Sequence, residues 1–81
     1  MGLAKTFGAN VRRLRQERGL SIEALADQVG LAYTYVGQIE RGTRNPTLAV
    51  VERFAAVLGM SAVQLLTEGP GSLKRQADQR E

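Results

Sequence analysis

The stretch "AYTYVGQIERGTRNP", residues 32–46, concentrates the side chains of this 81-residue chain that are best suited to recognise another molecule. At about 100° per residue, the spacing of an α-helix, five of its residues share an arc of about 140°. They are Tyr33, Thr34, Gly37, Gln38 and Arg41. The arc offers hydroxyls, an amide and a guanidinium without any carboxylate. This pattern indicates a helix whose outward face forms hydrogen bonds with a partner.

The residue types on this arc suit the edges of DNA bases. Glutamine can pair through two hydrogen bonds with adenine, threonine can contact base edges or a thymine methyl, and arginine can bind guanine or phosphate. The absence of acidic residues is what proximity to phosphates requires. The alternative is a solvated helix whose polar composition is accidental, and two further features favour the first interpretation.

The first feature is the spacing of three residues around a glycine turn, and the second is a basic segment after the helix. Ala26, Gly30 and Val36 form A-x-x-x-G-x-x-x-x-x-V, in which a small residue, a turn glycine and a β-branched residue let two helices cross closely. In "RGTRNP", the residues Arg41, Arg44 and Asn45 flank the helix end and can reach phosphates. Together these features predict a helix-turn-helix at about residues 21–41.

Gly37 allows two interpretations. A glycine inside a helix costs about 1 kcal/mol relative to alanine. Its missing side chain would let the helix lie close to a backbone or groove wall, or the glycine is simply tolerated because packing holds the helix. The sequence leaves both open.

The amino-acid composition excludes several classes of function. Cysteine and histidine are both absent, so thiol or imidazole chemistry and the common zinc sites are impossible. We therefore expect no enzymatic activity, no metal and no cofactor. Because no apolar run reaches about 18 residues, we expect no membrane association and a soluble, cytoplasmic protein. The net charge of +3 lies wholly in residues 1–66, which is compatible with a polyanionic partner.

Apolar residues recur at helical spacing through residues 1–66. Phe7, Val11 and Leu14 predict a first helix over residues 6–18, and Ser21 is a good N-cap for the second. No segment shows the period-two alternation of a strand, so we expect an all-α fold of five helices.

Three more helices complete this prediction. The third covers about residues 32–41, and the fourth begins after the N-cap Thr47 with Leu48 on its core-facing side. Ser61, with glutamine three residues later, forms a capping box that starts the fifth. We expect residues 67–81 to be a polar, mobile tail.

The region from "RRLRQERGLS" to "SAVQLL" resembles the lambda-repressor/Cro-type helix-turn-helix family. The elements that carry the resemblance are L-R-x-x-R-G-L-S, A-x-x-x-G, Q-I-E-R-G and N-P-T-L. The controller proteins of restriction–modification systems are among the members most similar in length and spelling. The resemblance implies a five-helix DNA-binding domain over residues 1–66 that binds a palindromic operator as a homodimer, blocking or recruiting RNA polymerase.

The resemblance also implies roles for individual residues. It places base readers at Tyr33, Thr34, Gln38 and Arg44. Phosphate contacts fall at Ser21, Tyr35, Thr43 and Asn45, to which the basic segment adds Arg41. Relatives pair the residues at the positions of Arg15 and Glu40 as an internal ion pair, which would tie the first helix to the third.

Apolar residues off the main core stripe suggest a dimer interface. Val50 and Val57 lie on the fourth helix, and Val63 and Leu66 lie on the fifth. We expect the fifth helix and its approach to pack across a two-fold axis. The alternative is that these residues close the core of the monomer. A second functional hypothesis keeps the fold but makes the chain an antitoxin or adaptor whose main partner is a protein.

Overall fold

The computed structural model describes residues 2–69, and within this part of the chain five α-helices and no strands are present. In chain order they are α1 (Leu3–Glu17), α2 (Ile22–Val29), α3 (Tyr33–Arg41), α4 (Leu48–Leu58) and α5 (Ala62–Leu65). The predicted all-α fold with five helices is confirmed. No helix within residues 2–69 is long and apolar enough to span a bilayer. The predicted tail lies almost entirely outside the described residues.

Local capping explains where the helices begin. The hydroxyls of Ser21, Thr47 and Ser61 each accept a hydrogen bond from the backbone amide three residues later. At α5 the side chain of Gln64 accepts in return from the Ser61 amide, which completes the predicted capping box. These contacts satisfy amides that a helix start otherwise leaves unpaired.

Two details of the helices differ from the sequence prediction. α1 begins at Leu3, one turn before the predicted start, because its first turn is largely exposed and adds nothing to the apolar pattern that begins at Phe7. Leu48 was expected on the core side of α4 but is 77% exposed. It is the first residue of α4, and the first buried residue of that helix is Val51, one turn later, so helical periodicity alone misplaced Leu48.

The core lies between α1 and the remaining helices. Phe7 of α1 and Phe54 of α4 meet edge to face, with ring centroids 5.5 Å apart and an interplanar angle of 85°. Aromatic pairs of this geometry contribute beyond the area that they bury. Val11 and Leu14 are also buried, as their spacing predicted.

A buried asparagine ties α1 to the end of α5. Asn10 is 3% exposed, and its Nδ2 donates to the carbonyl oxygens of Leu65 and Thr67 at 2.8 Å each. Its Oδ1 accepts from Arg13 Nη2 at 3.0 Å. The amide therefore satisfies carbonyls that α5 leaves without helical partners. No local pattern in the sequence predicted this role for Asn10.

The turn between α2 and α3 follows the predicted spacing. Gly30 adopts the left-handed conformation with φ 74° and ψ 36°. The amides of Gly30 and Leu31 both donate to the Ala26 carbonyl, at 2.8 and 3.0 Å. Ala26 and Val36 are buried where the two helices meet. This turn fixes the direction in which α3 leaves α2.

α1 and α3 approach so closely that only glycine fits at one contact. A Cβ at Gly8 would overlap the carbonyl oxygen of Ile39 and lie 2.9 Å from that of Glu40. Because these neighbours are backbone atoms, they cannot move away as a side-chain end could. The distance between α1 and α3 therefore depends on the absence of a side chain at Gly8.

Replacing Gly8 by alanine tests this close approach. Gly8→Ala should lower the free energy of unfolding by about 1–3 kcal/mol because the methyl forces α1 and α3 apart. The matched control is Gly37→Ala, the same change inside α3, where a methyl would meet only the end of the Arg41 side chain at 3.4 Å. The control should raise stability by up to about 1 kcal/mol through helix propensity. Chemical denaturation measures both, and equal effects of the two changes would contradict the packing argument.

Candidate nucleic-acid interface

Four side chains of α3 form an outward surface, here called the recognition face: Tyr33, Thr34, Gln38 and Arg41. Tyr33 is 53% exposed, Thr34 and Arg41 are exposed, and Gln38 is half-buried. These groups supply hydroxyl, amide and guanidinium donors and acceptors at one surface. Four of the five residues of the predicted arc therefore present side chains at the surface, and Gly37 is the exception.

The opposite side of α3 belongs to the core. Val36 is fully buried and Ile39 is 1% exposed. The N-cap position, Ala32, supplies no side-chain hydrogen bond to the first turn. Packing against α1 and α2 holds this short helix, since a helix of nine residues is marginal by itself.

Gly37 does not lie open on the recognition face. The residue is buried, and the position of its missing Cβ is 3.4 Å from Arg41 Nη1. The guanidinium of Arg41 thus lies back over the glycine, one turn earlier in the helix. Of the two interpretations that the sequence left open, close approach of a partner to bare helix backbone would therefore require the Arg41 side chain to move.

Arg15 and Glu40 pair through two hydrogen bonds between α1 and α3. Arg15 Nε donates to Glu40 Oε2 at 2.6 Å and Nη2 donates to Oε1 at 3.1 Å. The side chains are only 12% and 4% exposed. Nη1 also donates to the Leu20 carbonyl at 2.7 Å. The hydrogen bond to Glu40 raises the pKa of Arg15 above its ordinary value, so the guanidinium stays charged at physiological pH.

This ion pair determines the charge of the recognition face. Glu40 is the only acidic residue of α3, and its carboxylate is turned inward and neutralised by Arg15. Arg41, the next residue, is exposed. The outward surface of α3 is therefore positive, although the helix contains one acid and one base.

The predicted phosphate contacts occupy different situations. Ser21 is exposed at the start of α2, and its hydroxyl oxygen accepts from the Ala24 amide, which leaves its O–H free to donate. The hydroxyl of Thr43 donates to the Gln38 carbonyl at 3.1 Å, so a phosphate contact through this donor would require that bond to break. Asn45 is exposed in the loop before α4.

Arg44 lies over an aromatic ring. Its Cζ is 5.1 Å from the centroid of Tyr35, which is half-buried and packs against the core. This distance is within the range of a cation–π interaction. The structure thus joins a predicted base reader and a predicted phosphate contact in one unit at the edge of the recognition face.

The four residues of the predicted dimer interface do not behave alike. Val63 of α5 is 68% exposed and offers apolar surface to a partner. Val50, Val57 and Leu66 are partly buried and pack against the core of the same chain. Three of the four residues therefore help to close the core of the monomer, and the dimer interface stays a prediction.

Comparison with known proteins identifies the family. The family model "Helix-turn-helix domain" matches residues 6–67, and the chain belongs to this helix-turn-helix family. The chain is 40% identical over 67 residues to an uncharacterised HTH-type transcriptional regulator, y4dJ, of Sinorhizobium fredii, with 83% of this chain and 87% of the relative covered.

Two solved structures of restriction–modification controller proteins share the fold. C.AhdI from Aeromonas hydrophila superposes with a TM-score of 0.72 at 40% identity, covering 76% of this chain and 94% of its own. The C.Esp1396I tetramer, solved in complex with its natural 35 base-pair operator, gives a TM-score of 0.71 at 31% identity, with 80% and 86% covered. The predicted resemblance to this family is confirmed.

Breaking the ion pair should destabilise the fold. Glu40→Ala leaves the Arg15 guanidinium buried without its partner, which typically costs about 3–5 kcal/mol. The control is Glu17→Ala, which removes a carboxylate 3.5 Å from Arg13 on the surface of α1, where exposure makes an ion pair worth only about 0.3–0.5 kcal/mol. Urea denaturation measures both variants. If Glu40→Ala were no more harmful than the control, the proposed role of the pair would be wrong.

Proposed function

We propose that this chain is a transcriptional regulator that binds a palindromic DNA operator as a homodimer. The observation that carries the proposal is an exposed helix face, positive and free of carboxylate, on the second helix of a helix-turn-helix. A duplex presents distinct donor and acceptor patterns in its major groove, and that groove admits an α-helix. The related C.Esp1396I, solved on its operator, supports this choice of partner.

Contacts divide into those that read bases and those that fix position. Tyr33, Thr34 and Gln38 are the proposed base readers on α3, since their hydrogen-bonding groups are presented together. Arg41 and the start of α2 at Ser21 are proposed to bind phosphates on either side of the groove. Phosphate contacts of this kind set the register of the helix but carry no sequence information themselves.

Further phosphate contacts are proposed at the loop after α3. Asn45 is exposed there and can donate through its side-chain amide. The hydroxyl of Thr43 donates to the Gln38 carbonyl, so it can donate to a phosphate only after that hydrogen bond breaks. The loop therefore positions the end of α3 on the DNA backbone.

One domain of this size makes few contacts with DNA, so the proposed regulator binds as a homodimer. Two recognition helices set about 34 Å apart read two half-sites on one side of the duplex. Val63 is the most exposed of the proposed interface residues and would be buried against its symmetry mate, with Val50, Val57 and Leu66 behind it. Within this proposal, residues 1–66 form the DNA-binding domain and residues 67–81 its tail.

Restriction–modification controller proteins are the proposed subclass, because two of them share the fold over most of this chain. Such a regulator works by occupying its operator and blocking or recruiting RNA polymerase. It has no catalytic role, needs no cofactor and acts in the cytoplasm, where the operator lies. Its occupancy responds to its own concentration.

Selection of bound duplexes from a random pool tests the function. The full chain should enrich a palindrome, and binding should weaken with salt at a log–log slope equivalent to several phosphate contacts. Gln38→Ala should then weaken binding to that palindrome by about 1–3 kcal/mol and relax the preference at one base pair of each half-site. The control, Gln16→Ala, changes an exposed glutamine on α1. No enrichment, or a flat salt dependence, would refute the proposal.

Sedimentation tests the dimer interface. Val63→Glu should shift the full chain from dimer to monomer, because it places a charge in the proposed apolar contact. Leu48→Glu is the control, since Leu48 is an aliphatic residue at the start of α4 that is even more exposed than Val63. A wild-type chain that is monomeric at tens of micromolar would remove the interface from the proposal. Dissociation by the control alone would move it to the start of α4.

A further inference from the structure

Tyr35 and Arg44 contact each other, and neither a phosphate contact by Tyr35 nor base reading by Arg44 explains that contact. The guanidinium carbon of Arg44 lies 5.1 Å from the centroid of the Tyr35 ring. Arg44 is exposed, and neither ion pair found within residues 2–69 includes it. Within residues 2–69, its charged group therefore lies beside an aromatic face and not in an ion pair.

The ring is a fixed platform. Tyr35 belongs to α3 and packs against the buried core, so its position follows the helix rather than the loop. Arg44 lies in the loop after α3, which is held at its start by Thr43. Both the amide and the hydroxyl of Thr43 bind the Gln38 carbonyl, at 3.1 Å each. The loop thus places the long Arg44 side chain against the Tyr35 ring, which is held by its packing on the core.

The chemistry of the two groups makes this arrangement suitable for recognition. A guanidinium carries its five N–H donors in one plane. The face of an aromatic ring attracts this charge without accepting a pair of N–H donors as a carboxylate does. A carboxylate partner would occupy up to two donors and would repel nearby phosphates. An arginine held by a ring therefore keeps its full donor edge and its charge available.

We propose that Tyr35 is a positioning residue for Arg44: its ring face holds the guanidinium at the place from which it donates to DNA, and its hydroxyl is not required. This inference rests on the proposed function, since the target of the donors is the operator. It replaces the direct phosphate contact predicted for Tyr35 with an indirect role. The ordering of Arg44 before binding reduces the side-chain entropy that would otherwise be lost on the DNA.

Paired substitutions separate the ring from the hydroxyl. Tyr35→Phe keeps the ring and should bind the selected operator as the wild type does. Tyr35→Leu removes the ring and should weaken binding by about two- to fivefold, the size of an exposed cation–π contact. In an Arg44→Ala background, Tyr35→Leu should have no further effect, because the group that it positions is gone. Equal losses in the Phe and Leu variants, or an undiminished loss in the Arg44→Ala background, would overturn the proposal.

A measurement without DNA keeps the test independent of the proposed function. In the NMR spectrum of the free full chain, the side-chain Hε of Arg44 should be shifted upfield by the ring current in the wild type and in Tyr35→Phe. It should move toward the unshifted position in Tyr35→Leu, while Arg53 Hε should not change. An Arg44 resonance that is the same in all three proteins would overturn the stacking. Failure of the wild type to bind DNA, with the shift present, would refute the proposed function instead.

Discussion

The buried ion pair between Arg15 and Glu40 holds the recognition helix in place. α3 is too short to be stable alone, so its orientation depends on what it packs against. Two hydrogen bonds join its last turn to α1, and Gly8 lets the two backbones approach at the same place. A third donor of Arg15 reaches the Leu20 carbonyl and brings in the segment before α2. Arg15 therefore stabilises both the packing of α1 against α3 and the connection between α1 and α2.

The same contact also determines the electrostatics of the surface. By drawing the only carboxylate of α3 inward, it leaves Arg41 exposed without an opposing charge beside it. The same pair thus joins α1 to α3 and leaves the outward surface of α3 positive. Under the proposed function, removing Glu40 would weaken DNA binding by disturbing the fold, whereas changes at Gln38 would act on base recognition itself. The distinction matters when loss-of-function variants are interpreted.

Much of the architecture could be predicted from the sequence because its signals are local. Serine and threonine caps mark helix starts, and the spacing of Ala26, Gly30 and Val36 marks the turn. Those signals involve neighbours within a few residues, so no knowledge of packing is required. The family resemblance added the pairing of Arg15 with Glu40, which lie 25 positions apart. Residue spacing alone suggested only that both lie near the core.

What the sequence by itself determined is the set of helices, the turn between α2 and α3, and the polar character of one side of α3. Tertiary structure decided the rest, because contacts between distant segments set it. The buried position of Asn10 depends on carbonyls more than fifty residues away. The position of Arg41 over Gly37 and that of Arg44 over the Tyr35 ring depend on side-chain conformations, which helical periodicity does not encode. A helical wheel assigns directions, whereas only packing determines which of those directions remain open to a partner.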